Sequence, residues 1–113
     1  MYLVVFRNRK RAQISEESYA ADADRMETLA RAQPGFLSFK SYVAGDGEVI
    51  ALSEWASEDA AREWRRNADH AAVQRRGRDA YYEDYTLLAG TPSRVHRFSR
   101  AATGADESKG ERS

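Results

Sequence analysis

The sequence contains no cysteine, which excludes disulfides, thiolate catalysis and cysteine-ligated metals. It has no apolar run long enough to span a membrane, and its first residues lack the apolar segment of a signal peptide. Neither charge dominates, because 18 Lys and Arg balance 18 Asp and Glu. A polyelectrolyte partner is therefore not expected. We expect a cytoplasmic protein that binds neither nucleic acid nor membrane.

Several sequence patterns of well-known chemistries are also missing. There is no glycine-rich phosphate loop, no nucleophile elbow and no acid pair at a meaningful spacing. The two histidines have no carboxylates at metal-like spacing around them, so a protein-bound metal is not expected. Nucleotide-binding and hydrolase functions of the usual kinds have no support in the sequence.

The length of 113 residues indicates one domain with a modest core, a size at which oligomerisation is a common source of stability. We place this domain at residues 1–100. The remaining residues, 101–113, are polar and rich in small side chains, which is typical of a disordered tail.

Hydrophobic periodicity predicts four strands and three helices. Ser15 and Ser57 are suitable N-caps, each followed by two acidic residues, and Pro34-Gly35 ends the first helix. Asp69 is a possible N-cap for the last, short helix. The predicted strands lie at 2–8, 36–43, 48–55 and 81–88, with a possible edge strand at 95–98, and the helices run from Ser15 to Pro34 and over 58–66 and 70–78.

The resulting order, β-α-β-β-α-β, predicts an α+β fold of the ferredoxin-like, split βαβ type, with an antiparallel sheet and helices on one face. The other face, carrying Leu37, Phe39 and Val43 or their alternates, then needs a cover. In so short a chain the available cover is a second copy, so we predict a symmetric homodimer with the sheets back to back.

Four residues are candidates for a functional site, and each also has a structural explanation. Trp64 and Trp55 are either core residues or walls of a pocket that stacks on a flat ligand. His70 lies near a helix start, where the dipole lowers its pKa, and is either a general base or bonded to nearby backbone. Asn8 ends the first strand as a rim residue or as a hydrogen-bond donor in a pocket.

Two further groups have more ordinary explanations. The basic cluster at residues 75–78 is typical of a solvated helix end, although one arginine of it, such as Arg78, can face an oxyanion. Tyr81, Tyr82 and Tyr85 alternate at the start of the last strand, with Tyr81 and Tyr85 on one face. This pattern favours cross-strand or dimer packing.

Three segments, PGFLSFKSY, DGEVIALSEWASEDAAREW and DHAAVQRRGRDAYYEDY, resemble the antibiotic biosynthesis monooxygenase (ABM) family, over roughly residues 2–98. The resemblance implies a dimeric α+β barrel with a pocket between each sheet and its helices. Some members oxidise phenols or anthrones to quinones with O2 and without metal or flavin, whereas a related branch binds and cleaves haem.

The chain departs from both branches at particular positions. The quinone-forming branch resembles it at Trp55, but the Asn four residues before and the Tyr six residues after are Ala51 and Ala61 here. The haem-degrading branch resembles it at Asn8 and Trp64. That branch has a histidine ten residues after the tryptophan, where this chain has Gln74, and His70 lies only six residues after Trp64.

The function expected from the resemblance is a cofactor-independent monooxygenase that oxidises an electron-rich aromatic, such as a phenol or a polyketide-like anthrone, with O2. In this interpretation His70 is the base, Asn8 or Arg78 meets the oxyanion, and the walls are Trp55, Trp64 and Phe6. One alternative is a haem-binding, haem-degrading enzyme. The other is a non-catalytic barrel that binds a small molecule.

Overall fold

The computed structural model describes residues 1–100 of the 113-residue chain, except for the side chains of residues 68 and 69. Two predictions therefore lie outside the described residues: the disordered tail at 101–113 and the N-cap role of Asp69. Across the described ranges, no helix combines the length and apolar character that a membrane span requires.

Four antiparallel strands form one sheet in the order β2-β3-β1-β4. Their bounds are Tyr2–Lys10 for β1, Phe36–Val43 for β2, Val49–Trp55 for β3 and Tyr82–Gly90 for β4. With the helices included, the order is β-α-β-β-α-α-β, which confirms the predicted ferredoxin-like α+β fold. The four main strands were predicted, but residues 95–98 lie outside any strand, so the possible edge strand was wrong.

Helix α1 spans Glu16–Arg31 and α2 spans Glu58–Arg66. The hydroxyl groups of Ser15 and Ser57 accept the N–H of the third residue after each, at 3.2 and 3.1 Å, which confirms both predicted N-caps. The sheet is joined to these helices by a small core. Ala30, Trp55 and Ala61 are its buried members, and packed against them are Tyr2, Val4, Phe36, Ala60 and Trp64.

The last helical segment begins and ends at different residues from those predicted. Helix α3 spans Ala68–Arg76 and runs directly into a π-helical turn at Gly77–Tyr81. Tyr81 is therefore the last residue of this turn, and its carbonyl accepts the backbone N–H of Arg11 at 2.8 Å. This contact with the end of β1 fixes where the helical chain stops and β4 begins.

An irregularity in β4 changes which tyrosines share a face. Tyr85 pairs with Asn8 and Tyr82 pairs with Lys10, so β4 has one more residue than β1 over this interval. Tyr82 and Tyr85 consequently both lie beside Phe6, with ring centroids 5.4 and 5.2 Å from it. The prediction that Tyr81 and Tyr85 share a strand face was wrong.

The two faces of the sheet differ in their cover. The helices pack on the face that carries Val4, Phe39 and Trp55. The sequence offered Phe39 and Val43, or their alternates, for the opposite face. Phe39 pairs with Ser53 and Val43 pairs with Val49, which places both on the helical side and leaves the opposite face to the alternates. The opposite face, called the outer face below, carries alternate residues of the strands, both apolar and charged; among them are Leu3, Val5, Arg7, Lys40, Tyr42, Ile50, Leu52, Glu54, Thr86 and Leu88.

Candidate functional site

A cavity of about 520 Å³ lies between the sheet and the helices. All four strands and all three helices contribute residues to its lining, and most of these are apolar or aromatic. A volume of this size and a mainly apolar lining with a few polar groups are typical of sites for small organic molecules.

Two stacked indoles form one end of the cavity. Trp55 is fully buried at 0% exposure, and its ring stacks on Trp64 with centroids 6.1 Å apart and planes 24° apart. The Trp55 Nε1–H donates to the hydroxyl of Ser53 at 3.0 Å, which satisfies its polar atom inside the core. Trp55 is thus both a core residue and a cavity wall, so both structural roles that the sequence suggested apply to it.

His70 also stacks on Trp64. Its ring lies 4.3 Å from the Trp64 ring at 20°, and its Nδ1 lies 3.1 Å from the Trp64 carbonyl oxygen. A carbonyl oxygen only accepts hydrogen bonds, so this contact assigns the proton to Nδ1. In the neutral ring, Nε2 then keeps its lone pair, which makes it the basic atom of His70.

The surroundings of His70 favour the neutral imidazole. Burial is the main cause that lowers its pKa, and the positive charge of Arg65 acts in the same direction. The hydrogen bond with the Trp64 carbonyl opposes these effects and is outweighed. The sequence predicted this direction from the helix dipole, whereas the structure assigns it mainly to burial.

Asn8 is the buried polar residue of the sheet. Its side chain is 2% exposed and lines the cavity, and its Oδ1 accepts a hydrogen bond from Lys10 Nζ at 3.1 Å. The Lys10 ammonium also lies over the ring of Tyr19, 4.5 Å from the centroid. An ammonium only donates, so this bond assigns Oδ1 of Asn8 and leaves the Nδ2 amide group as the donor.

A polar network that the sequence did not predict closes the far end of the cavity. Asp22 receives two hydrogen bonds from Arg76, at 3.0 and 2.9 Å, and a third from the hydroxyl of buried Tyr81 at 2.8 Å. The Tyr81 hydroxyl also lies 2.7 Å from that of Ser18. The hydrogen bond from Arg76 is the main reason why the pKa of Asp22 is lowered.

This network joins α1 to the end of α3 and to the π-helical turn. A signal for it exists in the sequence, because Asp22 lies three residues after Tyr19 and four before Met26, on the apolar face of α1. A carboxylate on such a face needs a cationic or hydroxyl partner, and the basic cluster at residues 75–78 offers one.

The predicted site residues are brought together with one exception. Phe6, Asn8, Trp55, Trp64 and His70 all line the cavity. Arg78 lies exposed in the π-helical turn and is not part of the lining, so the structure does not bring it to the site. The tyrosines of β4, which the sequence assigned to packing, line the cavity instead: Tyr81, Tyr82 and Tyr85.

The positions where the sequence departs from the family also face the cavity. Ala51 and Ala61 both line it, so the cavity has apolar surface at the two positions where the amide and the phenol are missing. Gln74 lines it as well, at the position where the haem-degrading branch has a histidine. A glutamine amide is not among the usual axial ligands of haem iron, and the His70 ring is held flat against Trp64. Gln74 therefore does not supply the histidine ligand that the haem-degrading branch has at this position.

Within the part of the chain that the structure describes, no group of three or more His, Asp or Glu side chains is arranged to hold a metal ion. The polar residues of the cavity are therefore described by their hydrogen bonds and charges alone.

The fold and the cavity define a small α+β domain with a mainly apolar cavity between an antiparallel sheet and its helices. The chain belongs to the antibiotic biosynthesis monooxygenase family, because the model of that family matches residues 1–76, more than half of its 113 residues. This confirms the resemblance drawn from the sequence.

Two relatives support this membership at the level of sequence. The uncharacterized protein YqjZ of Bacillus subtilis is 36% identical over 97 residues, which cover 86% of this chain and 83% of YqjZ. The jasmonate monooxygenase ABM of Pyricularia oryzae is 29% identical over 92 residues, covering 80% of this chain and 42% of that protein.

Solved structures share the fold at low sequence identity. Rv0793 from Mycobacterium tuberculosis superposes with a TM-score of 0.73 at 21% identity, over 85% of this chain and 98% of that one. SnoaB from Streptomyces nogalater, described as a cofactor-independent oxygenase, has a TM-score of 0.69 at 14% identity, over 83% of this chain and 94% of its own.

Proposed function

We propose that the protein is a cofactor-independent monooxygenase that oxidises an electron-rich aromatic, such as a phenol or an anthrone, with O2. The observation that carries the proposal is His70. Its Nδ1 is occupied by the Trp64 carbonyl, its Nε2 keeps a lone pair, and burial favours the neutral ring beside two stacked indoles. A neutral base next to flat aromatic walls suits the deprotonation of a flat, weakly acidic substrate.

In the proposed reaction, Nε2 of His70 removes a proton from the phenol or from the activated ring methylene. The resulting anion transfers an electron to O2, and the two radicals combine to form a carbon–oxygen bond. The peroxide takes up a proton and loses water as the new carbonyl forms. For a methylene the balance is CH2 plus O2 to C=O plus H2O, so the substrate supplies all four electrons that reduce O2.

The cavity contributes an environment in which the anion forms and is protected. Aromatic walls from Phe6, Trp55 and Trp64 exclude water from the reacting carbon, and a dry site strengthens each remaining polar interaction. The Nδ2 amide of Asn8 is a hydrogen-bond donor on the wall of the same cavity, and we assign it to an oxygen of the substrate.

We also propose that the functional unit is a homodimer formed through the outer face of the sheet. Tyr42 and Leu88 are 49% and 51% exposed on that face, although both are large and apolar enough to favour burial. A second copy placed sheet to sheet covers both residues at once and leaves each cavity on the helical side.

The base is tested by His70→Ala, with anthrone as the probe substrate and quinone absorbance as the readout. We expect quinone formation to fall by about 10²–10⁴-fold, the range that a general base contributes. His96→Gln is the matched control, since His96 is exposed in the segment that follows β4. Unchanged kinetics in His70→Ala, with the fold intact by circular dichroism, remove His70 from the mechanism.

The two alternatives give different results in simple assays. Haem degradation is favoured by the presence of Asn8 and Trp64 in the cavity, and it predicts a Soret shift when hemin is titrated into the protein. Because Gln74 replaces the expected ligand, we expect no such shift. A non-catalytic barrel predicts that anthrone binds and is recovered chemically unchanged.

A further inference from the structure

Two hydrogen-bond donors, Nδ2 of Asn8 and the hydroxyl of Tyr82, lie in the part of the cavity near the end of β1. The proposed proton transfer to His70 does not involve them as a pair. Tyr82 pairs with Lys10 and Tyr85 pairs with Asn8, so Asn8 and Tyr82 are diagonal neighbours on the cavity face of the sheet. Side chains in that relation start on the order of 7–8 Å apart on the same face of the sheet, and both line the cavity, so one ligand group can contact both.

Both donors lack a hydrogen-bond partner in the part of the chain that the structure describes. No hydrogen bond joins Asn8 Nδ2 or the Tyr82 hydroxyl to the residues that the structure describes. Every fully buried polar side-chain atom among those residues does have a partner, so these two atoms are not sealed off. Asn8 is only 2% exposed and both residues line the cavity, which makes the cavity the space into which the donors open.

Both donors are held in place by groups that do not line the cavity. Lys10 fixes the amide of Asn8 through Oδ1, and its positive charge draws electron density from the amide, which strengthens Nδ2 as a donor. The Tyr82 ring rests on Gly77, where an added Cβ atom would lie 2.5 Å from Cε2 of the ring. Only glycine therefore permits this position of the phenol.

The Tyr82 phenol also keeps its proton at neutral pH. Burial is the main cause that raises its pKa far above the ordinary value of 10, and nearby Asp22 and tyrosines act in the same direction. A phenol that does not ionise donates its proton in a hydrogen bond and does not act as a base.

We infer that Asn8 Nδ2 and the Tyr82 hydroxyl together bind a carbonyl oxygen of the substrate, at a point remote from the ring that His70 deprotonates. Lys10 is the positioning residue of this pair. The inference rests on the proposed function and narrows its substrate class to flat aromatics that carry a phenolic or activated ring at one end and a ketone at the other.

The strand geometry gives the spacing of the two ends. Val4 and Trp64 both pack against the core cluster that contains Trp55, whereas Asn8 lies four residues beyond Val4 along β1, roughly 13 Å at 3.3 Å per residue. A neutral ketone is the matching acceptor because both donors are uncharged and Lys10 is not part of the cavity lining. A carboxylate gains no ion pair there and loses its hydration.

The test compares two probes that differ in one oxygen: 6-acetyl-2-naphthol and 6-ethyl-2-naphthol, each titrated calorimetrically into the full chain. Anaerobic conditions separate binding from turnover. We expect the wild-type protein to bind the acetyl compound about tenfold more tightly, as two net hydrogen bonds imply. In Tyr82→Phe and in Asn8→Leu, this preference falls to about threefold, and in the double variant it disappears.

Further variants separate positioning from general damage. Lys10→Met and Gly77→Ala lower the acetyl preference, and Lys10→Arg restores it, while the affinity for the ethyl compound stays unchanged and reports an intact cavity. Tyr42→Phe is the matched control, because it removes a tyrosine hydroxyl on the outer face and leaves the preference at about tenfold.

Three results overturn the inference: no acetyl preference in the wild-type protein, a preference that survives in both Tyr82→Phe and Asn8→Leu, or tighter binding of 6-hydroxy-2-naphthoic acid than of the ketone. These outcomes are independent of the oxidation assay. If the variants lose the acetyl preference but the wild-type protein oxidises no substrate, the subsite is supported and the monooxygenase activity is contradicted. If the wild-type protein oxidises anthrone but shows no acetyl preference, the monooxygenase activity is supported and the subsite is contradicted.

Discussion

His70 has to be neutral to accept a proton, and the residues around it keep it in that state. Its Nδ1–H donates to the Trp64 carbonyl, and its ring stacks on the Trp64 indole. A charged imidazolium loses hydration in this position, so burial lowers the pKa below the ordinary 6.5. The burial that keeps His70 neutral, as the proposed role of a base requires, also makes the folded protein less stable in acid.

The acid sensitivity has a definite sign. Because the pKa of His70 is lower in the folded chain, the unfolded chain binds more protons between that pKa and 6.5. The contribution of His70 to the free energy of unfolding is complete above pH 6.5 and is lost as the pH falls to its folded pKa. We expect the drop in Tm between about pH 7.5 and pH 5 to be smaller in His70→Gln than in the wild type.

The measurement is a pair of thermal melts by circular dichroism, with His96→Gln as the control that keeps the wild-type drop. An identical drop in His70→Gln and in the wild type contradicts the burial of a neutral imidazole.

Single residues were predictable from the sequence where their type is rare or their place in the chain is marked. The tryptophans, His70 and the strand-ending Asn8 were found for that reason. Tyr82 and Asp22 were not, because their roles depend on partners about sixty residues away in sequence, as in the contact of Asp22 with Tyr81. Arg78 was misplaced since a run of basic residues does not tell which member turns inward.

At the level of elements, the junction between β3 and α2 depends on one glycine in the turn before β2. Gly35 has a φ of +82°, and an added Cβ would lie 2.6 Å from the Cβ of Ala60 in α2. Its carbonyl accepts the N–H of Ala56 at 2.7 Å. The turn therefore approaches the first residues of α2 closely, and this approach positions the helix that carries Trp64.

We expect Gly35→Ala to lower the free energy of unfolding by about 1–3 kcal/mol from backbone strain alone, with the contact against Ala60 adding to it. Gly45→Ala is the matched control, since nothing lies within 4 Å of its added Cβ. Urea denaturation measures both. Equal stability of the two variants contradicts the close approach of this turn to α2.

The elements that follow local rules were predicted well, and those that depend on distant contacts were not. Both serine caps and the stop at Pro34-Gly35 are local signals, and the structure confirms the caps. The segment YYEDY has the alternation of a strand from its first residue. In the structure β4 begins only at Tyr82, because Tyr81 ends the π-helical turn and forms hydrogen bonds with Arg11 and Asp22.

For the whole molecule, the outer face of the sheet leads to a prediction about assembly. A charge placed there cannot be buried against a second copy without a partner. We expect light scattering behind size exclusion to give twice the 12.8 kDa mass of the chain for the wild type and the single mass for Leu88→Glu. Glu83→Gln, at an exposed position of β4, leaves the dimer intact. A monomeric wild type contradicts the back-to-back arrangement.

The fold and the family were accessible from the sequence because element order and the junction around Trp55 are encoded locally. The reaction was less accessible. A cavity is a property of the assembled domain, and its lining combines residues from every strand and helix. The alanines at positions 51 and 61 illustrate why the sequence alone could not describe the cavity. Their effect on the site is the space and the apolar surface that they leave in it.

The most direct test of the proposed oxygenation follows the oxygen atom. Haem-free protein, treated with a chelator, is mixed with anthrone under ¹⁸O₂, and the quinone is analysed by mass spectrometry against protein-free and His70→Ala samples. We predict one ¹⁸O atom in each quinone, formed well above the rate in both controls. Quinone oxygen that comes from water, or formation no faster than in the protein-free sample, contradicts a cofactor-independent monooxygenase.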